Sequence, residues 1–278
     1  MKNYLKTDWD FNSEQLVELY DELPLWAAPF GLKLLDNIIY KKSINALDIG
    51  FGCGFPLTEL AMRLDQKSLV YGIDPWERAI ERTAKKIHFY NIKNVRLING
   101  VAEQIPLKDN SIDLIISNNG LNNVENQGKA LAECSRIIKA GGQFIQTMNL
   151  KDTMAEFYTV MENVLTDMNL TASVDLMHKH IYKKRKPLDI YLKQIESQGF
   201  IITNTIKDKF EYKFVDGTTL LNHYFIRLAF IDSWKEIVPP NKQEEVFDRI
   251  EKDLNSNSKN GNTIILSVPF VVIDALKQ

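Results

Sequence analysis

Apolar residues recur at helical spacing near the start of the chain. Leu16, Leu19, Tyr20 and Leu23 share one helix face before Pro24 interrupts it, and a second helix is predicted over 29–40 with Phe30, Leu34, Leu35 and Ile38 inward. From residue 44 the pattern becomes short, mainly apolar runs, separated by stretches of helical period. Strands are predicted at 44–49, 68–73, 95–99, 112–117 and 143–148, helices at 57–64, 76–90 and 127–138, and a turn at Gly141-Gly142. Continuously apolar strands are those buried on both faces of a parallel sheet, and their alternation with helices implies right-handed βαβ units.

Beyond residue 150 the pattern loosens. Helices are predicted at 153–169 and 188–197, the latter ended by Gly199, and strands at 200–214 and 263–273. Residues 217–260 read as an insertion: an apolar helical stretch over 220–234, a break at Pro239-Pro240, a polar helix, and a Ser/Asn/Lys/Gly loop over 255–262. No internal repeat is apparent. The domain reading is therefore an N-terminal helical lid (1–40), an α/β core (41–150), and a C-terminal half of the sheet (151–278) whose insertion 217–260 completes the lid.

With 278 residues, 45% of them hydrophobic, the chain is long enough for one α/β domain with an elaborated cap. A formal net charge of −2 provides no bulk attraction to nucleic acid or anionic lipid, so both are disfavoured as partners. Cys53 and Cys134 fit no metal or redox spacing, and four histidines, His178 and His180 among them, are too sparse to suggest a metal site. The polar, acid-bearing N-terminus is unlike a signal peptide, and no apolar run approaches the roughly 20 residues of a membrane span. A cytoplasmic location is expected, with the oligomeric state left open.

The chemistry is concentrated in Ala46-Leu47-Asp48-Ile49-Gly50-Phe51-Gly52-Cys53-Gly54. A strand running into three alternate glycines lets the backbone turn sharply and approach a ligand, and the helix that follows offers free N–H groups. A dinucleotide-binding loop would place its third glycine one residue later and would not put the charge of Asp48 before a pyrophosphate site. A carboxylate there suits a ligand bearing an ammonium group. Asp74 ends the next strand in Tyr71-Gly72-Ile73-Asp74, where an acid can accept hydrogen bonds from both ribose hydroxyls, and Pro75 and Trp76 follow it.

These segments, with Gly100-Val101-Ala102-Glu103-Gln104-Ile105-Pro106, Asp113-Leu114-Ile115-Ile116-Ser117 and Ile138-Lys139-Ala140-Gly141-Gly142-Gln143, occur in order and at fitting distances. Together they resemble the class I S-adenosylmethionine-dependent methyltransferases, in the small-molecule branch that includes the ubiquinone and menaquinone biosynthesis enzymes. The resemblance covers about residues 40–150. It implies a Rossmann-like, mostly parallel seven-stranded sheet with helices on both faces and an antiparallel last strand, with S-adenosyl-L-methionine as cofactor and a small-molecule methyl acceptor. It also implies roles: Gly50, Gly52 and Gly54 in the donor loop, Asp48 for the ammonium, Asp74 for the ribose, Pro75 and Trp76 at the adenine, Ala102 and Glu103 at its edge, and Asn118 near the methionine part. The sequence departs from the family where Val101 replaces an acid and where Asn122-Asn123 replaces a histidine pair. The stretch 117–124 is closer to the arsenite-methyltransferase version of this loop, but the cysteines that arsenic chemistry needs are absent.

Alternative readings stand beside these. Asp48 could cap the following helix and Asp74 the next one. Tyr20, Trp26, Phe30 and Trp234 could flank a sulfonium or simply be core. Tyr20, followed by Asp21, resembles a Tyr-Asp pair near the start of many relatives. Tyr20, His223 and Asn122 are candidate catalytic groups, His223 being the one that titrates near neutrality. The basic run Lys179–Lys186 reads as a solvated loop, or else as the contact surface of an RNA or protein methyltransferase. A non-catalytic binder of the donor and an NAD-dependent oxidoreductase are the remaining rivals.

Overall fold

A computed structural model describes residues 2–21, 25–257 and 262–278. Leu23, Pro24 and residues 258–261 of the loop predicted over 255–262 lie outside the described residues. Two compact units emerge: Phe11–Asn149 with Pro187–Asp208 and Phe270–Gln278, and Met1–Asp10 with Leu150–Lys186 and Lys209–Pro269. One boundary, at 149/150, lies beside the one read from the sequence at 150/151, while those at 208/209 and 269/270 fall inside the strands over 200–214 and 264–277.

The first unit contains helices α1 (Glu14–Asp21) and α2 (Ala27–Asp36), then β1 (Asn45–Ile49), α3 (Leu57–Arg63), β2 (Leu69–Asp74), α4 (Glu77–Phe89), β3 (Val95–Asn99), β4 (Ile112–Asn118), α5 (Gln127–Ile137) and β5 (Ile138–Asn149). The seven-stranded sheet has the order β3-β2-β1-β4-β5-β7-β6, where β6 is Phe200–Phe214 and β7 is Ile264–Lys277. β1 pairs in parallel with both β2 and β4, and β5 runs antiparallel to β7. The strand order thus reverses between β1 and β4, the switch point at which open α/β sheets bind ligands. Ala46, Leu47, Ile115, Ile116, Phe144 and Ile145 are fully buried, which explains the apolar centres of these runs.

Several elements differ from the sequence reading. Gly141-Gly142 is not a turn before the fifth strand but an irregularity within it: Ile112 pairs with Ile138, and regular register resumes at Gln143, with Gly141 at φ +71°. Gln143 also ties the end of α2 to the sheet, its Nε2 donating to the Asn37 carbonyl at 3.0 Å and its Oε1 accepting from the Ile39 N–H at 2.9 Å. β7 extends to Lys277, past the predicted end at 273.

The second unit contains α6 (Ala155–Asp167) and α7 (Thr171–Lys184). After α8 (Leu188–Ser197, part of the first unit) it continues with α9 (Gly217–Asn222), α10 (Tyr224–Ile226), a π-helical stretch (Arg227–Ile231), α11 (Asp232–Lys235) and α12 (Gln243–Asn257). The apolar run 220–234 is therefore three short helices and a π segment, interrupted at His223, whose backbone is extended. Its side chains form this unit's own core: Leu220, Leu221, Ile231 and Trp234 are fully buried. The Trp234 ring stacks on Phe157 with centroids 3.7 Å apart, and its Nε1 donates to the Tyr158 hydroxyl at 3.1 Å. The basic run read as a loop is largely helical, since α7 continues through Lys184. Residues 255–257, read as loop, close α12.

Among the described residues no helix is long and apolar enough to cross a membrane, and no group of three His, Cys, Asp or Glu side chains could hold a metal ion.

Candidate functional site

The loops that follow β1, β2, β3 and β4 converge at the carboxyl ends of these strands around a cavity of about 860 Å³. That is within the size range of small-ligand and cofactor sites. Its floor is two glycine backbones in contact. Gly50 has φ +76°, and a Cβ there would meet the Gly120 Cα at 2.7 Å; a Cβ on Gly120 would lie 2.2 Å from the Ile49 carbonyl oxygen. Neither position admits a side chain, so the loops after β1 and β4 can close on each other. Gly52, at φ +50°, is open on its Cβ side. Gly54 does not line the cavity: at φ +102° it packs against Thr83 of α4, 3.1 Å from where its Cβ would be.

Asp74 joins three elements. Its Oδ2 accepts from the Gly52 N–H at 2.8 Å and its Oδ1 from the Trp76 N–H at 2.8 Å, so it holds the glycine loop and starts α4 as well as lining the cavity. Each oxygen keeps a lone pair for a ligand. Burial raises its pKa, and the two N–H donors oppose that rise.

Asp48 is in the opposite situation. It is fully buried in β1, and neither carboxylate oxygen has a hydrogen-bond partner. Burial pushes its pKa well above the usual carboxylate value, with the Asp74 charge adding to the shift. The Leu57 N–H pulls the other way without reaching bonding geometry. Asp48 is not itself a lining residue; it lies two positions before Gly50.

The remaining walls combine expected and unexpected residues. Tyr20, Pro75, Trp76, Ala102 and Glu103, all candidates from the sequence, line the cavity. The Tyr20 and Trp76 rings meet edge-on at 5.5 Å, and Trp76 Nε1 donates to the Phe11 carbonyl at 2.9 Å. Burial raises the pKa of Tyr20, as do the nearby Cys53 and Asp74. Asp21, next in sequence, fastens α1 to α4 through Arg82 at 2.7 Å and through Lys86. One carboxylate oxygen of Glu103 accepts from the Asn126 N–H at 3.0 Å. Val101 is 46% exposed and lines the cavity beside Ala102. Burial drives the Cys53 thiol up to about 12, which keeps it from acting as a nucleophile.

Three candidates fall elsewhere. Asn118 donates from Nδ2 to the Ala27 carbonyl at 3.0 Å and accepts from the Thr147 hydroxyl at 2.9 Å, so both ends of its amide have protein partners and it does not line the cavity. Asn122 bonds Asn119 at 2.8 Å and is likewise outside the lining. His223 belongs to the second unit, edge-on to Phe214 at 5.4 Å, and burial lowers its pKa. Gly120, Asn123 and Val124, noted in the sequence only as part of the stretch 117–124, line the cavity, and so do Glu125, Asn126 and Lys129, which were not singled out.

Residues 47–146 match the family described as a methyltransferase domain. A demethylmenaquinone methyltransferase from Bacillus mycoides is 32% identical over 117 residues, which is 42% of this chain and 49% of that protein. The corresponding enzyme from Staphylococcus aureus is 30% identical over 125 residues, 45% of this chain and 51% of that protein. The chain thus spans about half the length of these curated relatives. The crystal structure of a SAM-dependent methyltransferase from Aquifex aeolicus superposes with a TM-score of 0.53 at 20% identity, covering 72% of this chain and 93% of that one. Residues 47–146 thus match a methyltransferase domain, and the seven-stranded sheet that contains them has the fold of the Aquifex aeolicus SAM-dependent methyltransferase.

Proposed function

We propose that the cavity binds S-adenosylmethionine and that the chain transfers its methyl group to a small, partly apolar acceptor. Asp48 carries this reading: a fully buried carboxylate without a hydrogen bond, two residues before the glycine floor, is compensated by a cationic ligand. A dinucleotide would bring a pyrophosphate to the same place and add like charge. The free lone pairs of Asp74 suit the two ribose hydroxyls. Pro75, Trp76, Val101 and Ala102 offer the apolar faces and backbone N–H that a purine needs.

Once bound, the donor supplies an electrophilic methyl on a positively charged sulfur. The residues around it have to orient the reactants and exclude water, which is the larger part of such a displacement. Tyr20 is the candidate catalytic residue in the lining; its ring can face the sulfonium, and its raised pKa keeps the phenol neutral. The relatives named as demethylmenaquinone methyltransferases make an apolar, ring-bearing acceptor the first class to test. Residues 217–260 keep the role of acceptor recognition as part of this proposal. An RNA acceptor is not favoured, because the basic run presents no continuous cationic face: Arg185 is buried within it.

Label transfer tests the reading. Protein incubated with methyl-tritiated donor and demethylmenaquinone, or a short-chain analogue, should label the acceptor, and Asp74→Ala should cut labelling about tenfold or more at donor concentrations near Kd. Donor binding without transfer to any quinol, phenol or amine acceptor would make the chain a binding protein instead.

A further inference from the structure

Arg185 follows the last turn of α7 and is 4% exposed, yet its Nε and Nη1 have no hydrogen-bond partner among the described residues. A guanidinium cannot shed its proton to escape burial, so donors left unpaired in this way are strongly destabilising. Its position over the Tyr158 ring, 5.5 Å from guanidinium carbon to centroid, gives cation–π attraction but satisfies no N–H. The charges acting on the neighbouring His180 come from Arg185, Lys184 and Lys183, all cationic, and with burial they hold its imidazole down to about 4 and therefore neutral. Among the described residues, positive charge is thus gathered around buried, unused donors with no carboxylate pairing them.

We propose that Arg185 anchors an oxyanion-binding site within the helical unit, taking the carboxylate or phosphate of a small ligand. The planar guanidinium fork suits either oxyanion bidentately, Lys183 and Lys184 raise the local potential, and His180 has a ring N–H available to donate. The site uses no residue of the methyl-donor cavity.

The test is calorimetric titration and thermal unfolding of the full chain with inorganic phosphate and, separately, acetate, at an ionic strength fixed with a bulky sulfonate. At least one anion should bind saturably and raise Tm by roughly 5–10 °C at a hundredfold excess over Kd. Arg185→Met should lose that response, and should unfold at the same or a higher temperature in anion-free buffer. A response to phosphate alone identifies a phosphorylated ligand, and one to acetate alone a carboxylate. No saturable response to either, or an undiminished response in Arg185→Met, overturns the site. Should that variant fail to fold, Arg185→Lys is titrated instead. Losing the fork should weaken binding at least tenfold, and unchanged affinity overturns the proposal. No S-adenosylmethionine is present in these titrations, so the outcome is independent of the methyltransferase reading.

Discussion

Asp48 and Asp74 stand on adjacent strands and are both buried, but only Asp74 receives backbone N–H groups. The difference is measurable. Because the folded pKa of Asp48 lies above its unfolded value, the folded protein holds this proton more tightly than the unfolded chain does. Without ligand, stability should be greatest below the ordinary carboxylate pKa of about 4 and should fall as the pH rises through the window up to the raised value. Asp48→Asn should remove that slope in pH-dependent unfolding. A cationic donor favours the ionised form, so its binding within the same window should release a proton, seen as a dependence of calorimetric heat on buffer ionisation enthalpy. No proton release at any pH in the window would remove the electrostatic case for Asp48. At Asp74, substitution by alanine should weaken donor binding about 30-fold or more, equivalent to roughly 2–4 kcal/mol. Asp74→Asn should lose nearly as much, because its amide NH2 would face one of the two N–H donors. Wild-type affinity in Asp74→Ala would place the ribose elsewhere.

Among the elements, the two loops that meet at Gly50 and Gly120 define the cavity floor. Gly120→Ala would place a methyl 2.2 Å from the Ile49 carbonyl and force the loops apart, so both Tm and donor affinity should fall. Gly52→Ala has open space around it and should cost only the roughly 1–2 kcal/mol of a positive φ, while its methyl intrudes on the donor. Equal donor affinity in Gly52→Ala and wild type would mean that the ligand does not approach this loop. The importance of Gly120 was not legible in the sequence, because it arises from the approach of two backbones far apart in the chain. The central strands were legible to within a few residues, since burial on both faces leaves mainly apolar runs, as in Ala46, Leu47 and Ile49 around Asp48. α7 was missed because His178, Lys179, His180, Lys183 and Lys184 give its second half the composition of a solvated loop. The helical run 220–234 was read as continuous because its break at His223 has neither glycine nor proline. The positions of Gly50, Gly52 and Asp74 at the cavity were legible because their spacing is local, whereas the Asn118 hydrogen bonds to Ala27 and Thr147, and the packing of Gly54 on Thr83, depend on residues distant in the chain.

At the scale of the whole molecule, the chain pairs a methyltransferase sheet with a helical unit that has its own aromatic core. Trp234 is fully buried in that core, so it serves neither as a subunit contact nor as an exposed cover. Trp234→Ala should destabilise the helical unit by about 3–5 kcal/mol, read in urea unfolding, while the donor affinity of the folded protein stays unchanged. A transfer rate that falls in the folded variant would support acceptor recognition by residues 217–260, and a rate equal to wild type would count against it. The central claim is that the cavity at the switch point of the sheet was built for a cationic methyl donor. Calorimetric titration of the full chain with S-adenosylmethionine, S-adenosylhomocysteine and NAD tests it most directly. The first two should bind at one site per chain and NAD should give no heat; binding of NAD, or no heat from either adenosyl ligand, would contradict it.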